Sequence, residues 1–212
     1  LDEHGLSMDV VTPWGEGRIE APVIGDFNAS ILLAVLSVML LHDVNLNKSL
    51  TRLKTIKSVA GRMQRFGGDT NPLVIVDFAH TPDALAQALI SLRQHTQHDL
   101  WCVFGCGGDR DKGKRPLMGS VAEENADYIV LTNDNPRSEN PDLIINDIKS
   151  GITSTTKVSV EQDRQMAIHF AIKQAKAGDV VLIAGKGHEN YQIVGDEKYP
   201  FDDAKEVQHQ LE

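Results

Sequence analysis

An α/β fold is predicted for this 212-residue chain: a Rossmann-like, mostly parallel sheet with helices on both faces, preceded by a smaller α/β segment. Three observations carry the prediction. Four runs are apolar over strand length: "LVIVDF" (73–78), "DLWCVFG" (99–105), "DYIVLT" (127–132) and "DVVLIAG" (179–185). Patterns of helical period stand between them, and apolar strands alternating with amphipathic helices indicate a parallel sheet covered on both sides. Each run also ends in a loop dense in Gly, Asp, Asn, His or Arg, at the strand ends where such sheets bind ligands.

Taken in order, residues 8–23 predict two short strands around the turn "PWGEG". The run "ASILLAVLSVMLL" (29–41) is too short to span a bilayer, which takes ~20 residues. It is expected to form a buried helix with Asn28 as a plausible cap. Leu46, Leu50 and Leu53 recur at helical spacing in the next segment. The polar, glycine-rich "SVAGRMQRFGGDTNP" (58–72) predicts a crossing between domains, with a boundary that divides the chain into 1–68 and 69–212.

Beyond it, Thr81 caps and Pro82 begins a helix with Leu85, Ala88, Leu89 and Leu92 on one face. A helix over 115–125 follows the second strand, and Asn140 with Pro141 begins another after the third. "KVSV" (157–160) is a short strand. Ile168, Ala171, Ile172 and Ala175 line one face of a helix expected to end at Gly178. A hairpin over 191–201 and a helix from Asp202 close the chain.

Composition narrows the function classes. With 21 basic and 30 acidic residues the net charge is −9, which argues against nucleic acid or an anionic membrane as the main partner. Two cysteines, Cys102 and Cys106, are too few for a disulfide framework and suit a reduced, cytoplasmic protein. No two histidines form a metal pair at helical spacing, and no G-x-S-x-G elbow supports a serine hydrolase. No signal-peptide pattern is visible, and the opening on Leu1 suggests part of a longer protein. A monomer is expected.

The loop "GCGGDRDKGKRP" (105–116) contains the spacing G-x-x-x-x-G-K, but Arg115 stands where a phosphate loop needs Ser or Thr to hold Mg²⁺. A glycine-rich strand-to-helix turn explains the spacing, with Gly105, Gly107 and Gly108 expected to let the backbone turn tightly. Arg110 and Arg137 could each hold a carboxylate through a bidentate fork. Asp134 and Glu189 suit an ammonium group, so an amino acid is the ligand that fits all four. His80 and His188 lie on strand-end loops and could bond phosphate or position a reacting group. Plain structural roles exist for each residue alone: Arg110 balancing Asp109 and Asp111, Asp134 and Asn135 turning the chain before Pro136, Glu189 solvated. The four loops together favour a site.

These strings resemble a known family. "GRM" (61–63), "DFAHTPDAL" (77–85), "GCGGDRDKGKRP", "DNPR" (134–137) and "GKGHE" (185–189) follow one another in the order of the Mur ligases, and the likeness extends over essentially the whole chain. "DNPR" is similar to the form in members that add meso-diaminopimelate; lysine-adding members differ where Arg137 stands.

The resemblance implies that residues 1–68 end a central ATP-binding domain and 69–212 form a Rossmann-like C-terminal domain. It implies ATP contacts from Asn28, Arg62, Asp77 and His80, with Asp77 on the ribose hydroxyls. It implies a meso-diaminopimelate pocket lined by Arg110, Asp134, Asn135, Arg137, Gly185 and Glu189. The partners implied are ATP, Mg²⁺ and a UDP-N-acetylmuramoyl dipeptide, joined to the amino acid through an acyl phosphate. The family's phosphate loop, modified lysine and UDP-binding domain are expected outside these residues, so no catalytic residue is assigned and the chain alone is expected to be inactive. Ile31 stands where the family usually has a second Asn, which puts the adenine contact in question. The alternatives are another amide ligase of the superfamily, such as a folylpolyglutamate synthase, or a non-catalytic amino-acid-binding module.

Overall fold

A computed structural model describes residues 5–154 and 156–212; His4 lies outside them. Strands β1 (Leu6–Thr12) and β2 (Gly15–Ala21) form the expected antiparallel hairpin, with Leu6 opposite Ala21 and Thr12 opposite Gly15. Helices α1 (Phe27–Leu41) and α2 (Leu46–Leu53) pack on it. Leu32, Leu36 and Leu40 of α1 join Leu46, Leu50 and Leu53 of α2 and Val10 and Ile19 of the hairpin in one cluster.

Two expectations about α1 need correction. Asp26 holds the N-cap position, and Asn28 lies inside the first turn, where its side-chain amide donates to the Ile24 carbonyl at 2.7 Å. The helix is also not buried: Ile31, Val38 and Leu41 are 53%, 56% and 72% exposed. Apolar residues surround this helix, so its sequence has no polar side to mark which stripe faces inward.

The main sheet has six strands in the order β3-β4-β8-β5-β6-β7. These are β3 (Gln64–Gly67), β4 (Leu73–Asp77), β5 (Leu100–Phe104), β6 (Tyr128–Leu131), β7 (Val158–Val160) and β8 (Val180–Ala184). All neighbours run parallel except β3, which is antiparallel to β4. The short polar β3 was hidden within the predicted crossing, so the sheet begins before residue 68.

Strand parity assigns the two faces. Leu73, Ile75, Cys102, Phe104, Leu131 and Leu182 meet α3 (Pro82–Arg93), α4 (Lys114–Asn125) and α5 (Pro141–Lys149). Val74, Val76, Val103, Val130, Val181 and Ile183 meet α6 (Arg164–Gln174) and α7 (Asp203–Leu211). Thr81 and Asn140 cap α3 and α5 as expected, and Asp202, expected to begin the last helix, caps α7. Helix α6 ends at Gln174 rather than at Gly178, which has φ +89° and makes the turn into β8. A separate hairpin, β9 (Tyr191–Val194) with β10 (Glu197–Pro200), follows the sheet. No helix among the described residues is long and apolar enough to cross a membrane.

This strand order positions the loops. Strand β8 inserts between β4 and β5, so the loop after it lies between the loops that leave those two strands.

Candidate functional site

The end of β4 ties three segments together. Asp77 accepts the Ala79 N–H at 2.9 Å through one carboxylate oxygen and the Met63 N–H at 2.7 Å through the other. Its backbone carbonyl accepts the Gly185 N–H at 3.1 Å. Phe78 then forms a platform. The Arg62 guanidinium lies 4.9 Å from its ring centroid, and the His80 and His188 rings lie 4.6 and 5.5 Å away.

A cleft of about 600 Å³ opens beside this platform, between α1, residues 53–63 and α3. Asn28, Arg62 and Asp77 line it, with apolar walls that include Phe27, Ile31 and Val35. His80 is not part of that lining; its ring nitrogen Nδ1 pairs with the Phe78 carbonyl at 2.8 Å.

The second group sits where the loops after β5, β6 and β8 meet. Asn135 is buried and engaged at both ends of its amide. Its Oδ1 accepts from Lys186 Nζ at 3.1 Å and from the Ile193 N–H at 2.9 Å, while Nδ2 donates to Glu189 Oε2 at 2.9 Å. The Asp134 carboxylate faces Gly185, where an added Cβ would stand 2.8 Å from Oδ2. Arg137 adopts φ +51°, rare for a residue with a side chain. Its backbone is held there on both sides, by N–H donation to the Ile193 carbonyl and acceptance from the Gly195 N–H.

Arg137 Nη1 donates to the Gly108 carbonyl at 2.8 Å and reaches the Asn135 carbonyl at 3.4 Å. No hydrogen bond among the described residues engages its Nε or Nη2, so one edge of the guanidinium is open to a carboxylate. Arg110 is exposed, with Nη1 on the Asp109 carbonyl at 3.0 Å. Gly107 lies under both arginines: a Cβ there would be 2.9 Å from Arg137 Nη1 and 3.6 Å from Arg110 Cγ.

The glycines of this loop therefore act differently from the expectation. Gly105, Gly107 and Gly108 are not in the left-handed region; Asp109 is, at φ +53°. Gly105 and Gly108 instead admit the Thr132 and Pro136 carbonyls, which a Cβ would strike.

The roles of four cations escaped the sequence reasoning. Arg115, the residue that spoils the phosphate-loop pattern, is fully buried and bonds Glu139, Asp147 and the Gly107 carbonyl. Lys114 donates to the His80 carbonyl at 2.7 Å, so it links two strand-end loops. Lys186 is fully buried against Asn135 and Glu189. Arg164 is buried with Asp203 in a bidentate pair at 2.7 and 2.8 Å and also donates to the Ala184 carbonyl at the end of β8. Position next to a glycine or a loop was the only sequence signal these residues carried.

Comparison with known proteins adds the following. Residues 61–187 match the family described as Mur ligase, glutamate ligase domain. A UDP-N-acetylmuramoyl-L-alanyl-D-glutamate–2,6-diaminopimelate ligase from Coxiella burnetii is 52% identical over 208 residues, which is 98% of this chain and 42% of the relative. The protein of the same name from Haemophilus influenzae is 50% identical over 199 residues, covering 94% and 41%. A solved structure of a ligase of that name has 42% identity and a TM-score of 0.82, over 99% of this chain and 43% of its own. UDP-N-acetylmuramate-alanine ligase from Thermotoga maritima, at 19% identity and a TM-score of 0.61 over 92% of this chain and 39% of its own, shares the fold. The chain thus spans about two-fifths of the length of the curated relatives it matches.

Proposed function

Because the chain belongs to the Mur ligase family, we propose that it carries the amino-acid pocket and part of the nucleotide site of a ligase that adds meso-diaminopimelate to UDP-N-acetylmuramoyl-L-alanyl-D-glutamate. The names of the relatives support that substrate pair. The observation that carries it is the convergence of two guanidinium groups, Arg110 and Arg137, with two carboxylates, Asp134 and Glu189, on adjoining loops. Diaminopimelate differs from lysine by one distal carboxylate, and the open edge of Arg137 is the cation suited to it. Asp134 and Glu189 then accept the ammonium, Gly185 gives the ligand room beside Asp134, and Asn135 organises the wall from behind.

The cleft fits a nucleoside in its chemistry. It pairs apolar walls with Asn28, Arg62 and Asp77, and a carboxylate already holding two backbone N–H groups retains lone pairs for ribose hydroxyls. His80 is not among the residues that line it. Mg²⁺ would be held mainly by residues outside this chain, as the family resemblance implies. In this reading residues 1–68 close a central ATP-binding domain and 69–212 form the C-terminal domain of a monomeric, cytoplasmic enzyme. The dipeptide carboxylate is activated as an acyl phosphate, with ATP as donor, and the diaminopimelate amine displaces phosphate. The part played by these residues is to hold the amine and exclude lysine.

Calorimetry of the chain with meso-diaminopimelate and L-lysine tests the reading. Diaminopimelate should bind more tightly, and Arg137→Ala should remove most of the difference. Losing the partner of a buried charge costs ~2–5 kcal/mol in comparable pairs. Equal binding of the two ligands by the parent chain would sink the role given to Arg137.

A further inference from the structure

The loop after β8 holds a cation that this pocket does not expose. Lys186 stands between Gly185, at φ +116°, and Gly187, at φ +54°, conformations that side-chain-bearing residues rarely adopt. The two turns send Lys186 inward to complete burial and leave His188 exposed. Its ammonium donates to Asn135 Oδ1 and to Glu189 Oε2, both at 3.1 Å, and lies 5.6 Å from the Tyr191 ring centroid. A buried ammonium is costly unless paired and hydrogen-bonded, and here both partners belong to the loops of the candidate pocket.

The geometry at Glu189 is asymmetric. Oε2 accepts from Lys186 and from Asn135 Nδ2. Oε1 has no hydrogen bond among the described residues, and the side chain keeps 24% exposure. We propose that Lys186 is a positioning residue: its buried ammonium locks one oxygen of Glu189 so that the other stays charged and directed to the ammonium group of an amino-acid substrate. The substrate half of this statement rests on the pocket reading above; the Lys186–Glu189 half does not.

The charged groups around Glu189 come from three elements. Lys186 stands on its own loop, Arg137 on the loop after β6, and Arg164 on α6, where it also feels Asp134. Burial pushes the Glu189 carboxyl up; the hydrogen bonds of Asn135 and Lys186 and the charges of Lys186 and Arg137 pull it down, and the balance lies below the ordinary value.

The test is an NMR titration of the Glu189 side-chain carboxyl in the parent chain and in Lys186→Met, paired with calorimetry of meso-diaminopimelate across the same pH range. In Lys186→Met the titration midpoint should rise by about one unit or more. Diaminopimelate should bind about 10-fold more weakly at neutral pH, and the fall of affinity on the acid side should begin at higher pH. An unchanged midpoint overturns the proposal, as does unchanged affinity with a shifted midpoint. If Lys186→Met does not fold, Lys186→Gln is titrated in its place with the same outcomes. If the parent chain binds neither diaminopimelate nor lysine, the pocket reading falls while the carboxyl titration still decides the Lys186–Glu189 link.

Discussion

At Glu139 four donors meet one carboxylate: two nitrogens of Arg115, the Asp109 N–H and the Lys112 ammonium. The Arg115 hydrogen bonds, then the Asp109 N–H, hold this carboxyl down at about 2, against an ordinary 4.5. A group with a lower pKa folded than unfolded stabilises the fold above its unfolded pKa and loses that contribution as acid protonates it. Stability should therefore fall as pH drops from about 4.5 toward about 2, and Glu139→Gln should flatten that interval. Urea unfolding at about pH 3 and about pH 6 measures it; an unaltered acid dependence in the variant would exclude Glu139 as a cause. Glu139 sits at the end of a loop that the sequence singled out, yet its role was not legible, because its main partner, Arg115, lies 24 residues away and looked like a flaw in a motif.

Between elements, the loop before β3 packs tightly against the loop after β8. Gly61, at φ +67°, lies so near that a Cβ would strike the His188 nitrogen and the Gly187 carbonyl carbon. Through this contact and the Met63–Asp77 hydrogen bond, the wall of the cleft beside α1 and the wall of the second candidate pocket share one support. Gly61→Ala should cost about 1–3 kcal/mol by overpacking, read from denaturant unfolding. A change within about 0.5 kcal/mol would mean that the two loops part easily. Helices with caps and periodic faces, such as α3 and α5, were legible because local chemistry specifies them. Strand β3 was not: four residues without alternation become a strand only because β4 offers them an edge. The half-exposed α1 was misjudged for the complementary reason, since apolar content alone does not say which side is covered.

In the molecule as a whole, one buried ion pair joins the helices of the second face to the site. Arg164 on α6 grips Asp203 on α7, both fully buried, and reaches the last carbonyl of β8 just before Gly185. Asp203→Ala leaves an uncompensated buried guanidinium and should cost about 3–5 kcal/mol. Asp9→Ala, which breaks the exposed pair with Arg18, should cost about 0–1 kcal/mol. Comparable losses in urea unfolding would contradict the distinction. The α/β class, the four core strands and most helix starts could be read from the chain, because apolar runs, caps and strand-end loops are written locally. The pairing of Lys186 with Glu189, of Arg115 with Glu139 and of Arg164 with Asp203, and the opening of one edge of Arg137, came only with the fold. A buried charge chooses its partner by proximity in space, and the strand order of the sheet set those distances.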